Sequence, residues 1–440
     1  MRVLVCGGGF VGAYAAMRLE RHLRGPDDEI VLVNAENYLQ YQPFLPEAAS
    51  GTIEPRHVVI ALRQVLRHTR LVVGQAESLD HTARRARVRT LDGGSVELPY
   101  DAVILAPGSV SNVLPVPGLA ERAVGFKTIE EAIHLRNDVL ACLEAAAETT
   151  DPDRRRALLT FVFVGGGYAG VEALAELEDL GRAALERYPE LDGERPRWLL
   201  VEATARLLPE TNPHLAEYAA RRLARRGIEI HLETRLESAE GGVMRLSSGE
   251  TFPASTLVWT TGVRPDPLAA RSGLPVDERG RVTCDEFLRV RGAGGNVVQG
   301  AWAAGDAAAV PDLTTGGLCP PTAQHALRQA KRLARNLVAG SRGQPPRAFK
   351  YHNRGQLVSL GRYRGVAQLP GGIRLRGFPA WWLHRSYHLA KVPTLNRKVR
   401  ISLDWTVALF FPRDVVALGS LQRPREAFER AAGDEQRRAG

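Results

Sequence analysis

The chain has 440 residues, is 44% hydrophobic and carries a formal net charge of +9. That length suits two or three domains with cores of their own, and the apolar content excludes a disordered chain. The four cysteines, Cys6, Cys142, Cys284 and Cys319, form no C-x-x-C pair and no Cys/His cluster, which argues for a reducing compartment and against a dithiol mechanism or a metal site.

The first strand is expected over Val3–Cys6, so no secretory signal is expected before it. It runs into Gly7-Gly8-Gly9-Phe10-Val11-Gly12, a G-x-G-x-x-G turn that opens a predicted helix from Phe10 to about Arg24. In such a turn Gly7 makes the bend, Gly9 lets the backbone approach a pyrophosphate, and Gly12 packs helix on strand. The helix N-terminus then faces the phosphate charge. A second strand is predicted over Ile30–Asn34. An acid at its end usually binds the adenosine ribose; here that place holds Asn34, with Glu36 two residues on. Val103–Gly108, with Ala106 and Gly108, closes the nucleotide part of this unit.

Pro115-Val116-Pro117-Gly118 reads as a crossing linker, and a helix is predicted from Ile129 to about Glu148. The whole fingerprint then recurs: the apolar run Thr160–Val164 leads into Gly165-Gly166-Gly167-Tyr168-Ala169-Gly170. Two copies imply two dinucleotides and electron transfer between them. The next strand, Trp198–Val201, ends at Glu202, where a ribose 2′-hydroxyl is read, which favours NADH over NADPH. Arg206 is the residue that would instead accommodate a 2′-phosphate. Leu257–Gly262 closes this unit as Val103–Gly108 closes the first.

The chain then returns to the first unit. Ala303-Ala304-Gly305-Asp306 reads as a strand end whose acid points at a cofactor, and Pro320-Pro321-Thr322 precedes a helix from Ala323 to about Val338. From Asp312 to Asp404 no acid intervenes, while seventeen Lys or Arg fall in that interval. Such a stretch is a solvated basic face, a site for anionic cofactor groups, or a surface that meets anionic lipid. Nucleic acid is not expected, because no recognised module accompanies the charge. Gly377–Arg385 mixes aromatics with cations, Asn396–Arg400 is basic, and Trp405–Phe411 is apolar. An interfacial anchor and a homodimer interface both fit this composition. No apolar run of about 18 residues occurs, so no transmembrane helix is expected. The tail from Arg423 is charged and expected to fray.

With both fingerprints placed, the chain resembles the two-dinucleotide-binding flavoproteins, and more closely the type II NADH dehydrogenases. The resemblance is carried by Tyr41–Pro46, Gly165–Glu172, Val258–Pro265, Ala304-Gly305-Asp306, Pro320–Ala326 and Tyr351–Arg362. It implies an α/β fold with two Rossmann-like domains and a C-terminal membrane-interface or dimerisation region. The division expected is 1–115 and 283–340 for FAD, 116–282 for NAD(H), and 341–440 for the C-terminal region. It implies FAD on Gly7, Gly9, Gly12 and Asp306, and NADH on Gly165, Gly167, Gly170, Glu202 and Gly262. Asn34, Glu36, Ala106 and Gly108 complete the expected cofactor contacts.

Glu172 and Gln324 are the expected catalytic pair. Glu172 matches the acid near the flavin, either relaying a proton or merely accepting backbone N–H groups. Gln42, Gln324 and His325 are the candidates for a quinone carbonyl. The pattern departs from the family at Ala323–Gln329, where the second Gln of the quinone motif is displaced and His325 is an unusual neighbour. The function expected is NADH oxidation through FAD to a quinone, without proton pumping, by a peripheral protein on the cytoplasmic face of a membrane. A soluble NAD(P)H oxidoreductase with an iron–sulfur or small-molecule acceptor is the alternative, and an NADH-sensing flavoprotein a second. Sulfide chemistry is less expected, for want of paired cysteines.

Overall fold

Four apolar residues in a row suit a strand covered on both faces, and Val3–Cys6 are all buried in β1 (Arg2–Cys6). The computed structural model describes residues 1–292 and 294–417; the tail from Arg423 lies outside the described residues. After β1 come α1 (Phe10–Leu19) and β2 (Glu29–Asn34). The helix stops short of Arg24 because the chain tightens at its end, Arg21 N–H bonding to Arg18 O and His22 N–H to Leu19 O, the i→i+3 pattern that closes helices. Next come β3 (Thr69–Asp80), β4 (Arg85–Thr90), β5 (Ser95–Pro99) and β6 (Ala102–Leu105).

The second unit holds β7 (Ala123–Val124), α2 (Ile129–Glu148), β8 (Thr160–Val164), α3 (Tyr168–Leu185), β9 (Arg197–Val201), β10 (Glu229–His231) and β11 (Thr256–Trp259). Its sheet runs β7-β11-β8-β9-β10, with all pairs parallel. The α2 helix begins where Thr128 and Glu131 exchange a capping box, which satisfies N–H groups the helix itself leaves open.

Two strands then complete the first sheet, β12 (Arg289–Arg291) and β13 (Val297–Ala303). Its order is β12-β13-β6-β1-β2-β3-β4-β5, and α4 (Ala323–Ser341) packs on α1. The third region is an antiparallel sheet of β14 (Gln356–Ser359), β15 (Gly365–Gln368) and β16 (Arg374–Arg376), followed by α5 (Phe378–Lys391) and α6 (Leu395–Phe410). This region has no core to itself. Val358, Leu360, Val366, Val392 and Ile401 join one apolar cluster with α2, α3 and the Tyr41–Ile60 segment.

The three tryptophans of the third region divide. Trp382 is 59% exposed, but Trp381 is buried and Trp405 donates its Nε1–H to Glu47 Oε2 at 2.7 Å. Arg385 lies between the two inner rings, 4.0 Å from the Trp381 centroid and 4.9 Å from that of Trp405, and pairs with Glu47 at 2.9 Å. Composition alone marks such residues as interfacial; two of the three instead fasten α5 and α6 to the first unit. No helix among the described residues is long and apolar enough to cross a membrane.

Candidate active site

The strand ends of the first sheet arrive in register. Cys6 pairs with Val33 on one side and Leu105 on the other, and Leu105 with Ala303. The loops leaving these carboxyl ends therefore converge, which is where open α/β sheets bind ligands. Gly7 N–H bonds to Val33 O at 2.8 Å and Ala106 N–H to Cys6 O at 2.9 Å. The second sheet repeats both contacts, Gly165 N–H to Val201 O at 2.9 Å and Thr260 N–H to Val164 O at 2.8 Å.

The three glycines of each fingerprint have distinct surroundings. A Cβ on Gly7 would lie 2.2 Å from Ala106 O, and the residue has φ +104°. One on Gly12 would lie 1.8 Å from Gly7 O. One on Gly9 would meet nothing within 4 Å. Gly165, Gly170 and Gly167 repeat the series: two are jammed against Thr260 and Gly165, while Gly167 faces open space. Both helices start without a side-chain cap or an acid in the first turn. Thr128, Thr322 and Thr394 cap α2, α4 and α6. The uncapped N–H groups and the open space beside Gly9 and Gly167 fit a diphosphate at each fingerprint.

A cleft of about 380 Å³ opens at the first fingerprint. It brings together Gly9, Asn34, Glu36, Gln42, Ala106, Gly108 and Asp306, while Gly7 and Gly12 lie beneath its floor. Asn34 Oδ1 accepts the Gly8 N–H at 2.7 Å, and its Nδ2–H donates to Glu36 O at 2.8 Å. Asn34 thus shapes the loop, and Glu36 lines the cleft.

Two residues that motif reading does not single out sit at the centre of this cleft. Lys127 Nζ donates to Ser109 Oγ at 2.7 Å, and Ser109 Oγ–H donates to Asp306 Oδ2 at 2.6 Å. Burial lowers the Lys127 pKa, with the charges of Asp306 and Glu131 opposing that shift. The triad places a cation and an anion along one wall of a flavin-sized slot. Only the adjacency of Ser109 to the Gly108 turn marks it in the sequence, and Lys127 has no motif at all.

At the second fingerprint Glu202 Oε2 accepts the Gly166 N–H at 2.6 Å and Oε1 that of Thr204 at 2.8 Å. Gly262, with φ +105°, faces open space as Gly108 does. Arg206 donates instead to Pro209 O.

Glu172, on the first turn and a half of α3, is buried. Its Oε1 accepts the Ser359 N–H at 2.7 Å and lies 3.4 Å from His384 Nε2. His384 packs on His388 with ring centroids 4.5 Å apart. His388 Nδ1 is 3.3 Å from Tyr41 Oη, and Tyr41 packs edge-on against Phe10 of the cleft wall.

Gln324 and His325 are beside the cleft rather than in its lining, which takes their neighbours Ala323 and Ala326. Gln324 Nε2–H donates to Gly355 O at 3.1 Å, and Tyr351 Oη–H donates to its Oε1 at 3.2 Å. His325 stacks on Tyr351 at 3.7 Å between centroids, with Nδ1 2.8 Å from Thr322 Oγ1. Its Nε2 is buried with no partner among the described residues, and burial lowers its pKa. The displaced Gln329 is fully inside and accepts the Gly305 N–H at 2.7 Å, so it sets the turn that presents Asp306. Gln42 Nε2 is 3.4 Å from Lys127 O.

Residues 1–330 match the pyridine nucleotide-disulphide oxidoreductase family. A type II NADH:quinone oxidoreductase of Mycobacterium tuberculosis is 31% identical over 426 residues, covering 94% of this chain and 89% of that protein. A demethylphylloquinone reductase of Synechocystis is 28% identical over 415 residues, covering 92% and 95%. The structure of NDH2 from Plasmodium falciparum in complex with NADH superposes with a TM-score of 0.85 at 17% identity, over 94% of this chain and 99% of that one, a likeness of fold.

Proposed function

This chain belongs to the pyridine nucleotide-disulphide oxidoreductase family, among the type II NADH:quinone oxidoreductases, and from that membership we propose how its residues divide the work. The protein is an FAD-dependent oxidoreductase that takes electrons from NADH and delivers them to a quinone. The chemistry FAD supplies when bound is acceptance of two electrons from NADH and their release to the quinone. The observation that carries the reading is the doubled fingerprint, with each copy repeating the same strand contacts and the same open glycine.

Residues 1–115 and 283–340 hold FAD, with Gly9 and the α1 N-terminus at the diphosphate, Glu36 at the ribose, and Asp306, Ser109 and Lys127 along the slot. Residues 116–282 hold NADH, with Gly167 at the diphosphate and Glu202 reading the ribose and repelling a 2′-phosphate. Glu172 sits between the NADH unit and the third region, where its carboxylate accepts the Ser359 N–H and has His384 as its neighbour. Gln324 and His325 shape the acceptor side, and Gln42 faces it from the cleft. All four cysteines are free and buried; burial pushes the Cys6 thiol up to about 12 and the Cys319 thiol to about 11. Thiols held protonated this way do not suit sulfur transfer.

The third region sets the enzyme on an anionic membrane. Along α6, Leu395, Val399, Leu403 and Val407 recur every four residues and are exposed, as are Phe410 and Phe411 beyond them. An apolar stripe on a helix otherwise rich in Arg and Lys lies flat in a lipid interface. Peripheral attachment follows from this reading, and the cytoplasmic face is the side we propose for it.

The test compares two acceptors. With a long-chain quinone dissolved in anionic vesicles, L403S/F410S lowers NADH oxidation at least about tenfold, because each exposed apolar side chain contributes roughly 1.5–3 kcal/mol on burial. With a short water-soluble quinone the same variant works like the wild type. Equal rates with both acceptors contradict the membrane placement and favour a soluble enzyme. Salt weakens the attachment, since screening acts over about 8 Å at physiological ionic strength.

A further inference from the structure

The C-terminal half of α3, the β14–β15 turn and the chain after α6 enclose a surface cavity of about 360 Å³, remote from the fingerprint glycines. Five arginines line it, Arg182, Arg187, Arg362, Arg364 and Arg413, against two acids, Asp179 and Glu186.

Of the two acids Asp179 is already committed, which leaves Glu186 as the one lining carboxylate without a partner among the described residues, against five arginines. Asp179 accepts the Arg362 backbone N–H at 2.7 Å and pairs with Arg226 at 3.1 Å and with Arg182. Arg413 is taken up by Glu176, at 3.3 Å to its carboxylate. Arg362 spends one N–H on Ala408 O at 2.7 Å. The Arg187 side chain has no partner among the described residues, and Arg364 reaches Asp179 only at 3.7 Å. Burial and the nearby charges of Arg226, Arg182 and Arg222 lower the Arg364 pKa, opposed only by Asp179. The cavity is a place of surplus positive charge with unspent guanidinium donors.

The cavity borders the apolar face of the third region. Its rim includes Tyr363, which contacts Trp381 and Phe378 with centroids at 5.0 and 6.3 Å, and Phe378 is exposed. On the other side Pro412 follows the exposed Phe410 and Phe411. A ligand bound here has cations around its head and exposed aromatic and aliphatic groups on both flanks.

We propose that this cavity is a headgroup site for an anionic phospholipid, with Arg187 and Arg364 holding the phosphate and the acyl chains running along the apolar face of α5 and α6. The inference rests on the membrane placement given above and adds to it a specific lipid class. Guanidinium suits this task because its planar fork binds phosphate oxygens in pairs. A free phosphate would use the same donors but would leave the flanking apolar groups in water, so lipid is the better fit.

The experiment measures co-sedimentation of the FAD-loaded full chain with vesicles of phosphatidylcholine alone and of phosphatidylcholine with phosphatidylglycerol. R187Q/R364Q weakens binding to the anionic vesicles roughly tenfold or more, as two arginines near a charged surface would. Binding to the neutral vesicles stays as in wild type. R87Q/R89Q removes the same formal charge from the distant β4 and changes anionic binding by less than about twofold. Undiminished reduction of bound FAD by NADH shows that both variants fold. Equal losses in the two variants overturn the headgroup site while leaving the membrane placement standing. Failure of the wild type to bind either vesicle overturns both. Calorimetric binding of inorganic phosphate in the absence of vesicles, abolished in R187Q/R364Q, overturns the lipid assignment.

Discussion

Glu202 Oε2 holds the Gly166 N–H at 2.6 Å. Asn34 Oδ1 holds the Gly8 N–H in the same way, at 2.7 Å. The residue at the end of the second strand of each unit therefore fixes the residue between the first two glycines of its own fingerprint. In the NADH unit that residue carries a charge, and in the FAD unit it does not. Glu202 supports the loop and, in the function proposed above, also discriminates against a 2′-phosphate; substitution separates the two tasks. E202Q keeps the acceptor and loses the charge, so NADPH gains on NADH as a reductant. E202A also frees the Gly166 N–H and costs about 1–3 kcal/mol of binding to both nucleotides. Rates of flavin reduction against nucleotide concentration decide the matter; an unchanged NADH/NADPH ratio in E202Q removes Glu202 from specificity.

The second and third glycines of the first fingerprint give opposite expectations. G9V places its side chain in open space, so the protein folds with wild-type far-UV circular dichroism but purifies without FAD. G12V drives a Cβ to 1.8 Å from Gly7 O and destabilises the fold itself, by more than about 4 kcal/mol. Flavin content and thermal midpoint distinguish them. A folded G9V protein with full FAD would exclude the diphosphate from that loop.

These glycines were legible because each performs a local geometric task that only one residue type performs. The strands leading into them were legible for the same reason: Thr160–Val164 and Val3–Cys6 are apolar on both faces and stop at a turn. Lys127 and Ser109 were not, since Ser109 meets Asp306 across 197 residues of chain, and Lys127 joins them only through Ser109. Trp381 and Trp405 were misleading for a related reason. An aromatic beside cations looks the same in sequence whether it faces lipid or, as here, stacks on Arg385 over the buried Glu47.

K127M leaves Ser109 and Asp306 without their cation in a buried slot. Losing a hydrogen bond from a charged donor costs roughly 1.5–3 kcal/mol, and part of that loss falls on FAD. The variant releases FAD on dilution at least about tenfold more readily than wild type, whereas K127R retains it better than K127M. Equal retention by all three proteins would reduce Lys127 to a structural cation.

His388 is half-buried and packs against Tyr41, Phe44 and His384, and desolvation holds its pKa below the ordinary value, with His384 adding to the shift. His325 shifts the same way. The sign follows from the proton balance: below about pH 6.5 the unfolded chain takes up protons that the folded chain refuses. The stability contributed by neutral His388 is complete above that pH and is lost as pH falls toward the folded value. The thermal midpoint therefore drops between about pH 7 and pH 5, and H388F flattens the slope. An unchanged slope in H388F would place the protons elsewhere.

Electrons from NADH leave this protein to a quinone, and anaerobic stopped-flow mixing tests that directly. The yellow protein is bleached with one equivalent of NADH and then mixed with a quinone or with a ferredoxin. Flavin absorbance returns fully with quinone, with one quinol formed per NADH, and returns slowly or not at all with ferredoxin. Reduced flavin that persists in the presence of quinone while ferredoxin reoxidises it would exclude quinone as the acceptor.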